Sequence, residues 1–201
     1  MVYVVLLITG LIIVFTTDKL ALQLSINGLH KAWLDALMPY ITWLGDGIFA
    51  VLVALLFMLF VNRRIGWMLF FAYVLSAILA QLGKHVFFPD AMRPFAYLKH
   101  HPEFYKIPGF LYYEFHSFPS GHSASIFALC SLLALAYASK WKVQLILLCL
   151  ACLVGFSRTY LSQHFLVDVI AGSFIGVCSS IILWNLIKPE RFKNQGPYLS
   201  R

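Results

Sequence analysis

The sequence predicts an all-α integral membrane protein of six transmembrane helices, with an interfacial amphipathic helix after the first span. Three observations carry this expectation. Hydrophobic residues make up 61% of the 201-residue chain and charged residues only 11%, where a soluble domain carries roughly 25% charged residues. The mean hydropathy is +0.83, which makes lipid the solvent for most of the surface. Apolar runs of about spanning length recur along the chain between polar or basic connections. The length suits a single domain covering residues 1–201.

The first run, MVYVVLLITGLIIVFTT at 1–17, has no basic leading region and no small-residue cleavage site. It reads as a retained span, not a signal peptide. Residues 18–38 hold an amphipathic pattern through Leu20, Leu22, Leu24, Leu29, Trp33, Leu34 and Leu37, which suits a helix lying at the interface. The runs 40–61, 65–88 and 119–139 each suit one crossing. The stretch 143–187 is too long for one crossing and holds the polar cluster SRTYLSQH at 157–164. It resolves into spans at 143–160 and 165–187 that meet at a turn. Asp46 at the edge of the second span reads as a helix-end feature, and Trp33, Trp43, Trp67 and Trp141 as interfacial aromatics.

Cys130, Cys149, Cys152 and Cys178 all lie in apolar runs. The CxxC of Cys149 and Cys152 lacks polar neighbours, so these are read as small buried hydrophobes, not metal or redox ligands. No disulfide framework is indicated. The pI near 9.3 is explained by membrane topology, and nothing in the sequence supports a nucleic-acid partner.

Orientation follows the bias of lysine and arginine. Six spans put both termini on one face, together with Arg63, Arg64, Lys140, Lys142, Lys188, Arg191, Lys193 and Arg201. The other face holds Lys19, Lys31, Lys84, Arg93, Lys99, Lys106 and Arg158. Three of these, Lys84, Arg93 and Arg158, belong to polar clusters with the character of a site. Setting them aside places the termini in the cytoplasm and the long loop at about 89–118 outside, on the periplasmic or exterior side of a cytoplasmic (inner) membrane.

Three polar clusters interrupt the apolar pattern: KHVFFPDAMRP at 84–94, PSGH at 119–122 and SRTYLSQHFLVD at 157–168. Span parity puts all three on the same face. Ionisable groups near membrane depth are functional candidates by default. Together they supply Lys84, Arg93, Arg158, Ser120, His122, His164 and Asp168. Three fixed cations and a hydroxyl suit a multiply charged anion. Pro119 followed by Ser-Gly-His opens a helix whose free N–H groups face an anion, and Gly121 admits close backbone approach. His164 and Asp168 are four residues apart, so they share a face if the last helix begins by then. A carboxylate beside the imidazole then fixes its tautomer and supports a nucleophilic nitrogen, leaving His122 to protonate a leaving oxygen. No cluster of carboxylates calls for a metal, and no cofactor is required. His30, His85, His100, His101 and His116 read as interfacial bystanders.

These residues resemble the type 2 phosphatidic acid phosphatase superfamily, which also includes vanadium haloperoxidases and glucose-6-phosphatase. That family's pattern is K-x6-RP, PSGH and SR-x5-H-x3-D. The second part is intact at 119–122, and the third as Ser157, Arg158, His164 and Asp168. The first departs from it: eight residues separate Lys84 from Arg93-Pro94, with His85 as a local substitute donor. The resemblance implies a phosphomonoester or diphosphate hydrolase working through a phosphohistidine. His164 attacks phosphorus, Asp168 supports it and His122 protonates the leaving group. Lys84, Arg93, Ser120, the Gly121 amide and Arg158 hold the phosphoryl oxygens, with Ser157 in a supporting role. Among substrates the resemblance favours a polyprenyl diphosphate such as undecaprenyl diphosphate, ahead of phosphatidic acid, phosphatidylglycerol phosphate and lipid A phosphates. An anion channel or transporter would use the same cations without needing the His164–Asp168 pair. A haloperoxidase-like oxidation is disfavoured by six spans.

Overall fold

The computed structural model describes residues 1–187. The basic tail from Lys188 onward, whose charges entered the orientation argument, lies outside the described residues. Nine α-helices and two π-helical turns make up the described chain, with no strand among them. α1 (Val2–Thr16) has no buried residue at all, as expected of a helix whose surroundings are lipid. Asp18 then caps α2 (Lys19–Asn27), its carboxylate accepting from the amides of Leu20 and Ala21 at 2.9 Å each. α2 turns through 113° from α1.

α3 (Ala32–Trp43) and α4 (Gly47–Leu56) are separate helices bent by 57°, where the sequence suggests one run over 40–61. The break falls at Leu44–Asp46. Asp46 accepts from the amide of Ile48 at 2.8 Å and so starts α4, which gives this acidic residue its helix-end role. The amphipathic stretch 18–38 is likewise divided between α2 and α3. Its two buried α2 side chains are the polar Gln23 and Asn27, not leucines.

A π-helical turn at Phe57–Val61 leads to Asn62, which caps α5 (Arg63–Leu82) by accepting from the amides of Arg64 and Ile65 at 3.0 Å. α5 ends in a second π-helical turn, Gly83–Phe87, closed by the Phe88 amide on the Gly83 carbonyl at 2.8 Å. After the short α6 (Pro94–Leu98) and a loop rich in aromatics come α7 (Gly121–Ala136), α8 (Trp141–Tyr160) and α9 (Leu166–Leu186). Among the described residues, three helical stretches are long and apolar enough to cross a membrane: 63–87, 141–160 and 166–186. The number rises to five if each bent pair counts as one span, and α7 is a shorter apolar helix.

The centre of the bundle is α7 against α9. Small residues allow the approach. A Cβ on Gly176 would lie 2.7 Å from the Ala128 amide nitrogen and 3.0 Å from the Phe127 Cβ, and it would also strike the Ala124 carbonyl. A Cβ on Gly172 would strike the Ser120 carbonyl. Ser180 donates across the seam to the Ala128 carbonyl at 2.6 Å. Leu129 and Leu132 of α7 then join Met68, Leu69 and Ala72 of α5 in one buried apolar cluster.

The seam predicts a contrast between two glycines. Gly176→Ala forces one backbone away from another, at a cost of about 1–3 kcal/mol, and lowers the thermal midpoint in detergent. Gly10→Ala meets only the end of the flexible Ile170 side chain and leaves the midpoint nearly unchanged. Equal midpoints for the two variants would contradict this account of the seam.

Candidate active site

The three polar clusters come together at one end of the bundle. Lys84, Arg93, Gly121, His122, Arg158 and His164 line a single cavity of about 330 Å³, together with Gly45, Tyr73, Gln81 and Tyr113. Each reaches it by a different local device. Lys84 stands in the π-helical turn Gly83–Phe87, and such a turn takes one residue more than an α-helical turn. That widening and the bend at Phe88–Met92 accommodate the long spacing between Lys84 and Arg93. Lys84 Nζ lies 4.0 Å from where a Cβ on Gly121 would be, so it closes over the start of α7. Arg93 precedes Pro94 at the head of α6, and its amide donates to the Glu114 carbonyl at 2.8 Å.

Arg158 lies in the last turn of α8, inside the helix and ahead of the turn where the sequence suggests it. The chain then reverses in five residues. Ser162 adopts a left-handed conformation at φ 51°, and the amides of Gln163 and His164 both donate to the Arg158 carbonyl, at 3.0 and 3.2 Å. This turn folds His164 back beside Arg158. His164 therefore precedes α9 and does not share a helix face with Asp168. The pair meets because the turn delivers the imidazole to the head of α9, with His164 Nδ1 3.5 Å from Asp168 Oδ2.

Asp168 is almost fully buried behind the imidazole. Its Oδ2 accepts from Ser117 Oγ at 2.5 Å and from the Phe165 amide at 2.9 Å. The Asp168 carbonyl accepts from the Ser120 amide at 3.0 Å, which ties the heads of α7 and α9 together. Ser120 stands at the head of α7. It is fully buried, does not line the cavity, and its hydroxyl caps α7 by accepting from the Ser123 amide at 3.3 Å and bonding the Ser123 hydroxyl at 3.0 Å. As the N-cap residue it presents the helix N-terminus and Gly121 to the cavity. Ser157 is also buried, with its hydroxyl on the Val154 carbonyl at 2.7 Å.

Burial and three surrounding cations set the electrostatics. Burial is the largest influence on His164 and pushes its pKa well below the ordinary histidine value, with Arg158, Arg93 and Lys84 adding to the effect. Its imidazole is therefore neutral, the form that carries a free nucleophilic lone pair. Burial also lowers the pKa of Arg93, partly offset by Asp168 and Tyr113, yet the guanidinium remains a cation. An anion entering this cavity meets fixed positive charge with little water to screen it.

A neutral histidine backed by a buried carboxylate, facing three cations and a helix N-terminus, is an arrangement for attacking and holding a phosphoryl group. The PAP2 superfamily model matches residues 65–192. The chain belongs to that superfamily. An undecaprenyl-diphosphatase of Sulfolobus acidocaldarius is 31% identical over 152 residues, covering 75% of this chain and 69% of that protein. Phosphatidylglycerophosphatase B of Bacillus subtilis is 30% identical over 173 residues, covering 80% of this chain and 76% of its own. Among solved structures, Aquifex aeolicus LpxE superposes with a TM-score of 0.71 at 25% identity, covering 86% of this chain and 98% of that one. The first transmembrane PAP2 type phosphatidylglycerolphosphate phosphatase from Bacillus subtilis gives 0.69 at 25% identity, covering 94% and 96%. This PAP2 protein is thus a phosphoric ester hydrolase of the membrane lipid phosphatase family.

Sequence reasoning passed over three polar residues that hold the site. Ser117 reaches Asp168, Gln163 reaches Arg93, and Thr42 reaches Arg158 at 2.7 Å. The first two flank the motifs closely enough to have drawn notice. Thr42 lies 116 positions from its partner, and nothing local to it names that partner. The Ser117 bond carries a test. A hydrogen bond to a charged group contributes roughly 1.5–3 kcal/mol, so Ser117→Ala is expected to lower kcat at least tenfold with little change in KM, and Ser117→Thr to recover most of the loss. Steady-state phosphate release checks it, and an unaltered kcat in the alanine variant would remove Ser117 from the site.

Proposed function

We propose that this protein hydrolyses a lipid phosphate or diphosphate through a phosphohistidine at the extracytoplasmic face of the cytoplasmic membrane, with a polyprenyl diphosphate such as undecaprenyl diphosphate as the favoured substrate. The observation that carries the reading is the meeting of His164, backed by Asp168, with Lys84, Arg93, Arg158 and the head of α7 around one cavity. The undecaprenyl-diphosphatase relative supports the substrate class. The phosphatidylglycerophosphatase relative makes a lipid phosphomonoester the second reading.

In the first step, His164 Nε2 forms a bond to phosphorus as the bond to the leaving oxygen breaks. His122 delivers a proton to that oxygen. Positive charge then grows on the imidazole, and the Nδ1–H turns to Asp168 Oδ2, closing the present 3.5 Å separation; such bonds are often long before substrate binds. Lys84, Arg93, Arg158 and the amides at the start of α7 hold the equatorial oxygens as charge redistributes. In the second step, His122 takes a proton from water, water attacks the phosphoenzyme, and His164 is released with inorganic phosphate.

The proposed topology has six spans in a single domain: α1, α4 with its following π turn, α5, α7, α8 and α9. The α2–α3 segment then lies at the outer interface beside the 88–120 loop. Both termini face the cytoplasm. The lipid headgroup occupies the cavity and its tail lies in the bilayer.

Purified protein in detergent, assayed for phosphate release with EDTA present, tests this reading. Undecaprenyl diphosphate, phosphatidic acid, phosphatidylglycerol phosphate and lipid A are compared side by side. Release is expected to resist EDTA, to be fastest with undecaprenyl diphosphate and to fall by at least 10³-fold in His164→Ala. A folded protein releasing phosphate from none of them would bring the anion-binding alternative forward.

A further inference from the structure

Arg93 and Arg158 face the same cavity but are held in different ways. Arg93 is fixed at several points. Its Nε donates to the Phe115 carbonyl at 2.8 Å, and its Nη1 donates to Gln163 Oε1 at 2.9 Å and to the Gln163 carbonyl at 3.3 Å. Arg158 has one side-chain hydrogen bond among the described residues, Nη1 to Thr42 Oγ1 at 2.7 Å. Its Nε is buried without a partner. Arg158 and Thr42 are only 6% and 7% exposed.

A guanidinium is a rigid plane with donors in a fixed fork. Pinning one Nη1 therefore sets where the other donors point. Thr42 belongs to α3, outside the 65–192 region that the family model matches. The same N-terminal segment grips the chain around Arg158 at further points. Gln23 Nε2 donates to the Thr159 carbonyl at 2.8 Å and to Ser162 Oγ at 3.1 Å. Tyr160 donates to Asp35 at 2.5 Å and accepts from the Lys31 amide at 3.3 Å. The backbone that carries Arg158 is thus held by α2 and α3, while the guanidinium itself is aimed by Thr42.

We propose that Thr42 is the positioning residue that sets Arg158 for phosphoryl oxygens, so that the N-terminal segment completes the phosphate site. This rests on the reading of Arg158 as a phosphate ligand. The Thr42 hydroxyl accepts from Arg158 and fixes the direction of the guanidinium plane. Without it, the fork is free to leave the anion's position.

The test uses the full chain in detergent, with Thr42→Val, which keeps the branched shape and removes the acceptor, and Thr42→Ser, which keeps the hydroxyl. Affinity for inorganic phosphate is measured by isothermal titration calorimetry, alongside the thermal midpoint. Phosphate affinity is expected to fall roughly tenfold in Thr42→Val and to return to within about twofold of the wild type in Thr42→Ser. KM for the lipid substrate should rise more than kcat falls. A purely structural role would lower the midpoint and leave the phosphate affinity of the folded protein intact. If Thr42→Val does not fold, Thr42→Ala removes the same acceptor and decides the same comparison. Wild-type affinity in the valine or alanine variant overturns the proposal, as does a wild-type protein that binds no phosphate. Failure of the lipid assay alone bears on the substrate reading and leaves the phosphate titration to judge Thr42.

Discussion

Gly172 and Gly176 let α9 approach the backbone of α7 more closely than any side chain would allow. At the top of that seam, the Ser120 amide donates to the Asp168 carbonyl at 3.0 Å. Much of the site is referenced to this contact. It sets the head of α7, with Gly121 and His122, beside the head of α9, with Asp168. His164 is then brought in by the turn after α8, and Ser117 by the loop before α7, both converging on the same carboxylate. A methyl group at 172 would push the Ser120 carbonyl away and separate the two helix heads. The stability of the bundle and the geometry of the His–Asp pair are therefore one problem with one solution.

The second constraint is charge. Three cations beside an apolar bundle are tolerable only if each is tied to fixed polar groups or faces a cavity that takes anions. Arg93 is tied to Phe115 and Gln163, and Arg158 to Thr42. Lys84 stands in a π-helical turn over the head of α7. The polar side chains buried in the N-terminal segment follow the same logic. Gln23, Asn27 and Thr42 sit inside otherwise apolar helices, and each bonds a loop or a site residue, so none is left unsatisfied against hydrocarbon. The N-terminal segment thus braces the chain around the candidate site.

The sequence by itself determined the helical class, the membrane character and the family resemblance, and it nominated the candidate site residues. Composition and run length are local properties, and PSGH and SR-x5-H-x3-D are read without knowing what they touch. Counting six spans also leads to the expectation that the three polar clusters share one face. What it does not determine is how the polar residues divide their labour. Ser120 reads as a phosphate ligand, and only the folded helix head shows that its hydroxyl also accepts from Ser123 and caps α7. His164 and Asp168 read as neighbours on one helix face, whereas a left-handed Ser162 brings them together. Thr42 and Gln23 carry no mark of their partners 116 and 136 residues away. A hydrogen bond between distant segments depends on the packed positions of several helices at once. No window of sequence contains that information, and only the tertiary structure decides it.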